Sequence, residues 1–132
     1  MKVVTVDQMV GLEQATVRHG VSLDTLMENA GLVVAEAARI ELGGAAGKRV
    51  LVLVGPGNNG ADGLVAARHL SRWGANATAY LVTGRPNPDP KMGPARDYGV
   101  TVIGVDQDPE LADLDHLMGR CHLVIDLSLI HI

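Results

Sequence analysis

The chain has 132 residues, 47% hydrophobic and 20% charged, with a net charge of −4; it can bury one core and has no room for two domains. That balance excludes a basic nucleic-acid surface, and Trp73, Tyr80 and Tyr98, the only aromatics, offer no base-stacking platform. Cys121 stands alone, the N-terminus lacks the basic start and apolar stretch of a signal peptide, and no apolar run is long enough for a bilayer, so the reading is a soluble, cytoplasmic protein.

Thr5-Val6-Asp7-Gln8 has the form of a capping box, and Met9, Leu12 and Thr16 share a face of a short helix ending at His19-Gly20. A second helix starts near Ser22. Its apolar residues, among them Leu26, Ala30, Val34 and Ala38, recur at three and four residues, and Gly43-Gly44 stops it. Ala30-Gly31 removes bulk from this helix and predicts the close approach of another backbone.

The run 49–54 reads as a buried parallel strand, 61–73 as a helix and 75–82 as a second strand, a βαβ unit that should cross over right-handed. Between the first strand and the helix lies Gly55-Pro56-Gly57-Asn58-Asn59-Gly60-Ala61-Asp62-Gly63. After a proline-rich connection, 85–90, a short helix is expected over 91–98 and a strand over 100–105. A helix over 109–118, with Pro109 near its first turn, and a strand over 122–126 follow. Residues 127–132 do not continue the alternation of strand and helix, and are read as a truncated or non-native tail.

Gly55, Gly57 and Gly60 satisfy the G-x-G-x-x-G spacing that brings phosphates onto backbone N–H groups at a helix start. A conventional NAD site also needs an acid about 20 residues further on. Val82-Thr83-Gly84-Arg85 has none, and Arg85 reads as an exposed arginine after a strand. Asn58, Asn59 and Asp62 are residue types that turns and helix caps also favour. Three of them within five positions, among glycines, point to a binding site.

Asp126 closes the apolar strand Leu123-Val124-Ile125. In a doubly wound sheet that strand lies beside the first, which would turn the Asp126 carboxylate to the glycine loop, although a strand-end cap explains it as well. His69 is expected at the surface or an interface. Arg68 and Arg72 read as a solvated helix edge, Lys48 and Arg49 as solvent-facing at the opposite end, and Cys121 as a small buried hydrophobe.

The loop 55–63 with Leu64-Val65-Ala66-Ala67-Arg68-His69-Leu70 after it resembles the signature of the YjeF N-terminal domain family, the NAD(P)H-hydrate epimerases. Leu26-Met27-Glu28-Asn29-Ala30-Gly31 and Asp7-Gln8-Met9 resemble two further segments of that family, so the match runs from the N-terminus to Asp126. The resemblance implies a three-layer α/β/α Rossmann-like fold with a mainly parallel sheet, usually dimeric. It implies interconversion of the R and S epimers of hydrated NADH or NADPH, a small-molecule substrate, with no nucleic acid or membrane as partner. Asn58, Asn59, Gly60, Ala61 and Asp62 correspond to the substrate-contacting stretch, and Asn59 and Asp126 to ligands of a potassium ion. Asp126 is the carboxylate that would move the proton.

Ala61 stands where the family usually has glycine, which requires a negative φ there. The family also continues past Asp126 with a second glycine-containing loop and an Asp/Ser segment. Residues 1–126 therefore read as a partial epimerase domain, weak or inactive alone. Two other readings compete. One is a non-catalytic binding or scaffolding module, dimerising through the small residues around Ala30-Gly31. The other is a conventional NAD(P) oxidoreductase, disfavoured by the missing ribose acid.

Overall fold

In the computed structural model the described residues are 3–4, 22–85 and 89–128. The helix expected over residues 7–19 lies outside them. In chain order the elements are β1 (Val3–Val4), α1 (Leu23–Leu42), β2 (Arg49–Val54), α2 (Gly57–Arg72), β3 (Asn76–Leu81), α3 (Met92–Asp97), β4 (Thr101–Gly104), α4 (Ala112–Arg120) and β5 (Leu123–Leu127).

The nearly continuous apolar runs of β2 and β5 become central strands covered on both sides, whereas β3 and β4 carry Asn76, Thr78 and Thr101 among their apolar residues. The five strands form one sheet in the order β1-β5-β2-β3-β4, all of its pairs parallel. β5 pairs directly with β2, so the last strand does lie beside the first strand of the βαβ unit, and Asp126 stands opposite Leu53. On one face Val34, Ala38, Leu64 and Leu70 of α1 and α2 pack on Val50, Val52, Val54 and Ile125. On the other, Leu114 and Leu117 of α4 pack against Leu51, Leu53, Tyr80 and Val124. The result is the three-layer α/β/α fold expected.

Local signals explain most of the boundaries. Ser22 Oγ accepts from the Thr25 N–H at 3.2 Å, and Gly43, at φ 67°, ends α1 in the left-handed conformation. α3 forms despite Pro94, which lies in its first three residues, where no helical N–H is needed. A β-carbon on Gly31 would lie 2.3 Å from Val65 Cγ1, so the small-residue face of α1 is occupied by α2 of the same chain. That corrects its assignment to a dimer contact.

Two expectations fail at the start of helices. α2 begins at Gly57, four residues before the expected start, and α4 begins at Ala112, three residues late, so Pro109 is not in its first turn. The cause at α4 is Asp108, whose two carboxylate oxygens accept from the N–H groups of Asp113 and Leu114 at 3.0 Å each. Leu127 is the last residue of β5 and fully buried, so the strand runs one residue beyond the expected end.

Candidate functional site

The glycine run is a tight turn followed at once by a helix. The Gly55 N–H donates to the Leu127 carbonyl at 3.0 Å, and a β-carbon on Gly55 would lie 2.3 Å from the Ser128 carbonyl oxygen. Gly57 has φ 72°, where only glycine is unstrained. A β-carbon on Gly60 would lie 1.9 Å from the Gly55 carbonyl oxygen, and one on Gly63 3.2 Å from Val52 Cγ1. Glycine at these positions lets the first two turns of α2 sink onto the end of β2.

Asn58 and Asn59 therefore sit in the first turn of α2, and Gly60, Ala61 and Asp62 follow in the helix rather than in a loop. Asn58 is exposed and Asn59 is 9% exposed. Asp62 is completely buried. Ala61 is helical and absent from the positive-φ residues, so its methyl group is accommodated as the resemblance required.

Arg85 is not the exposed residue expected. Its side chain is 7% exposed, and Nη1 donates to the carbonyls of Gly55 at 2.9 Å and Gly57 at 3.1 Å. Its Nε pairs with Asp89, whose other oxygen accepts from the Lys91 N–H at 2.9 Å. The turn is thus held from behind by a fixed guanidinium fork. A cavity of 220 Å³ beside it is lined by Met27, Gly57, Asn58, Ala61, Arg85 and Lys91, among others.

A second ionic group joins the helices around this cavity. Arg68 donates to Glu28 through both terminal guanidinium nitrogens, at 3.2 and 2.5 Å, and Lys91 Nζ donates to Glu28 at 2.8 Å and Asp24 at 2.7 Å. The Arg68 hydrogen bond, with help from Lys91, pulls the Glu28 carboxyl down to about 2. Burial works against the Lys91 charge, yet its two carboxylate partners hold its pKa above the ordinary lysine value. Arg68 is consequently part of this network and not of a solvated edge.

Asp126 is half-buried at the end of β5. Its Oδ1 accepts from the Ser128 N–H at 3.0 Å and from Ser128 Oγ at 2.5 Å. That is the strand-end cap. By register and pleat Asp126 shares the face of Leu53, Leu51 and Val124, whereas α2 covers the opposite face. Asn59, in the first turn of α2, and Asp126, near the end of β5, thus lie at the same C-terminal end of the sheet but on opposite faces. Both supply oxygen donors, the chemistry a hard cation such as potassium takes. Among the described residues no three His, Cys, Asp or Glu form a metal-holding group.

Several residues escaped sequence reasoning. His69 is 8% exposed, and burial lowers its pKa below the ordinary histidine value, correcting its surface assignment. Tyr80, fully buried on β3, donates to Asp108 Oδ2 at 2.9 Å. Cys121 is only half-buried, not the buried hydrophobe expected, and burial raises its thiol pKa. The one available signal was spacing: Asp108 precedes an apolar-periodic run by a turn. Among the described residues no helix is long and apolar enough to cross a membrane.

Residues 23–127 match the family described as "YjeF-related protein N-terminus". The chain is 59% identical over 70 residues to an NAD(P)H-hydrate epimerase of Yarrowia lipolytica, a stretch covering 51% of this chain and 29% of that protein. It is 38% identical over 120 residues to a bifunctional NAD(P)H-hydrate repair enzyme Nnr of Thermofilum pendens, covering 90% of this chain and 22% of that one. The chain thus spans between a fifth and a third of the length of these relatives. The crystal structure of yeast ynu0, YNL200c, superposes with a TM-score of 0.71 at 30% identity, over 98% of this chain and 57% of that one. The glycine turn, the buried start of α2 and the strand-end carboxylate are thus placed within a matched region that covers most of the chain, which belongs to the YjeF-related N-terminal family.

Proposed function

We propose that the protein carrying this chain is an NAD(P)H-hydrate epimerase, and that the chain supplies the glycine turn, the start of α2 and the strand-end carboxylate of its site. The observation that carries the reading is the adjacency of β5 and β2. It puts Asp126 at the C-terminal edge beside the turn, where open α/β sheets bind their ligands. The names of the relatives support the same substrate, hydrated NADH or NADPH.

Epimerisation breaks the C–O bond at the hydrated ring carbon and re-forms it from the opposite face of the ring. The departing hydroxyl needs a proton to leave as water, and the returning water must give one up. Asp126, with Oδ1 held by Ser128, is the residue we assign to carry it. We assign Asn58, Asn59, Gly60, Ala61 and Asp62 to the substrate-binding start of α2, with Asn58 at its surface and Asp62 buried beneath it, and Asn59 and Asp126 would hold the potassium ion. Bound there, its positive charge offsets the carboxylates of the site. A cytoplasmic dimer completes the proposal, supported by the single free Cys121 and by exposed Val33 and Ile40 on the outer face of α1.

The test is interconversion of purified R and S hydrates, with and without potassium, by the parent protein and by Asp126→Ala. The expected result is potassium-dependent turnover that falls at least a hundredfold in the variant, the usual range for a lost acid–base group. Absence of interconversion by the parent protein, or full activity in Asp126→Ala, would sink the reading.

A further inference from the structure

In dinucleotide sites of this architecture an acid at the end of the strand after the glycine turn accepts a hydrogen bond from the adenosine ribose. The end of β3 has no such acid in sequence, but the fold brings one there from the next strand. β4 ends at Gly104, in register with Leu81, the last residue of β3. The single 3-10 turn that follows, Val105–Gln107, carries Asp106.

Over the ends of β3 and β4 opens a cleft of 580 Å³, walled by Leu81, Met92, Val105 and Arg96, with Asp106 at its margin. Asp106 is exposed, and its carboxylate lies so close to the chain that a β-carbon on Gly104 would sit 2.4 Å from Oδ1. Arg85 and Asp89 line both this cleft and the smaller cavity at Gly57, Asn58 and Ala61. The nearly buried Arg85–Asp89 pair is therefore the wall that the cleft shares with the cavity at the start of α2.

Resting on the epimerase reading, we propose that this cleft binds the adenosine half of the substrate. Its ribose hydroxyls donate to the Asp106 carboxylate. The adenine lies against Leu81, Met92 and Val105, where the Arg96 guanidinium offers a flat cation for stacking. The adenosine is remote from the reacting ring, so this contact strengthens ground state and transition state alike and acts on KM.

Asp106→Ala changes an exposed turn residue and tests the assignment. With hydrated NADH its KM should rise roughly tenfold, the loss of one hydrogen bond to a charged group, with kcat retained. With hydrated reduced nicotinamide mononucleotide, which has no adenosine, variant and parent should coincide. An effect on the mononucleotide, or none on the dinucleotide, overturns the proposal and leaves the epimerase reading standing. If the parent protein interconverts no hydrate, that reading fails, and titration with adenosine monophosphate followed by backbone amide shifts decides the cleft by itself. Shifts grouped at Leu81, Gly104 and Asp106 that disappear in Asp106→Ala sustain it; their absence, or shifts elsewhere, overturn it.

Discussion

The Arg85 guanidinium donates to the Gly55 carbonyl across 30 residues, at 2.9 Å, and so ties the end of β3 to the turn that ends β2. The same side chain holds Gly57 and Asp89, and the Asp89 side chain is itself 3% exposed. Arg85→Ala removes the cation from the buried Asp89 carboxylate, leaving it the Lys91 N–H alone, and takes the guanidinium donor from two carbonyls. The expected cost is about 3–5 kcal/mol, the range for one partner lost from a buried pair. Arg85→Ala/Asp89→Ala should be less damaged than Arg85→Ala alone. Urea denaturation of the two variants against the parent checks both statements.

Four glycines can be ranked by what a methyl group would meet. Gly60→Ala drives a β-carbon into the Gly55 backbone and should be the most destabilising, at or above the usual overpacking range of about 1–3 kcal/mol. Gly31→Ala meets Val65 Cγ1 at 2.3 Å and the backbone-fixed Val65 Cβ at 2.5 Å, so it should come next, near the top of that range, and Gly31→Ala/Val65→Ala, which keeps the β-carbon, should recover only the share due to Cγ1. Gly93 and Gly119 have nothing within 4 Å. Gly119→Ala, inside α4, should stabilise by roughly 0.5 kcal/mol. Thermal melts of the series test the order.

The central strands were legible because their apolar runs are nearly continuous, and Arg49–Val54 was readable to the residue. The glycine run misled for a physical reason. Glycine and asparagine have poor intrinsic helix propensity, so 57–60 reads as loop, yet packing onto β2 demands residues without side chains and overrides propensity. The site was legible as a stretch of chain but not as geometry. Nothing in the order of residues tells that Arg85 turns back to Gly55, or that Arg68 meets Glu28 40 positions earlier. The missing ribose acid shows the same limit. Counting along one strand finds no carboxylate, whereas the register of β3 with β4 puts Asp106 beside the expected place.

The Glu28 network predicts an acid-sensitive contribution to stability. The carboxyl is held at about 2 in the folded protein, below its ordinary 4.5, so the unfolded chain binds more protons in the interval between. Its contribution is complete above about pH 5 and is lost as pH falls toward 2. Glu28→Gln should be less stable than the parent at neutral pH and should approach it under acid. Parallel denaturation curves across that interval measure the convergence.

Tyr80 and Asp108 give the opposite dependence. Burial, and then the hydrogen bond to Asp108, push the Tyr80 hydroxyl up to about 12 from 10. A pKa raised on folding stabilises below the unfolded value, so this contribution is present up to about pH 10 and lost as pH rises toward 12. Burial works against the Asp108 charge, but the N–H groups of Asp113 and Leu114 and the tyrosine hydroxyl hold its pKa below the ordinary carboxylate value. Tyr80→Phe should cost about 1–2 kcal/mol at neutral pH, with the difference shrinking in alkali. In Tyr98→Phe, where Tyr80 is the single tyrosine left, ultraviolet titration should show the delayed ionisation directly.

Ser128 separates holding a carboxylate from being one. Its N–H and hydroxyl both bind Asp126 Oδ1, and only the hydroxyl bond can be removed by substitution. Ser128→Ala keeps the backbone donor and the half-buried carboxylate, so the fold should be retained. The carboxylate then rotates more freely, and productive proton transfer depends on its orientation. On the proposed epimerase reading, kcat should fall roughly tenfold with KM little changed, well short of the loss in Asp126→Ala. Ser128→Thr, which retains the hydroxyl, should recover most of the rate. Loss of activity in the threonine variant equal to that in Ser128→Ala would show that the hydroxyl does not orient Asp126.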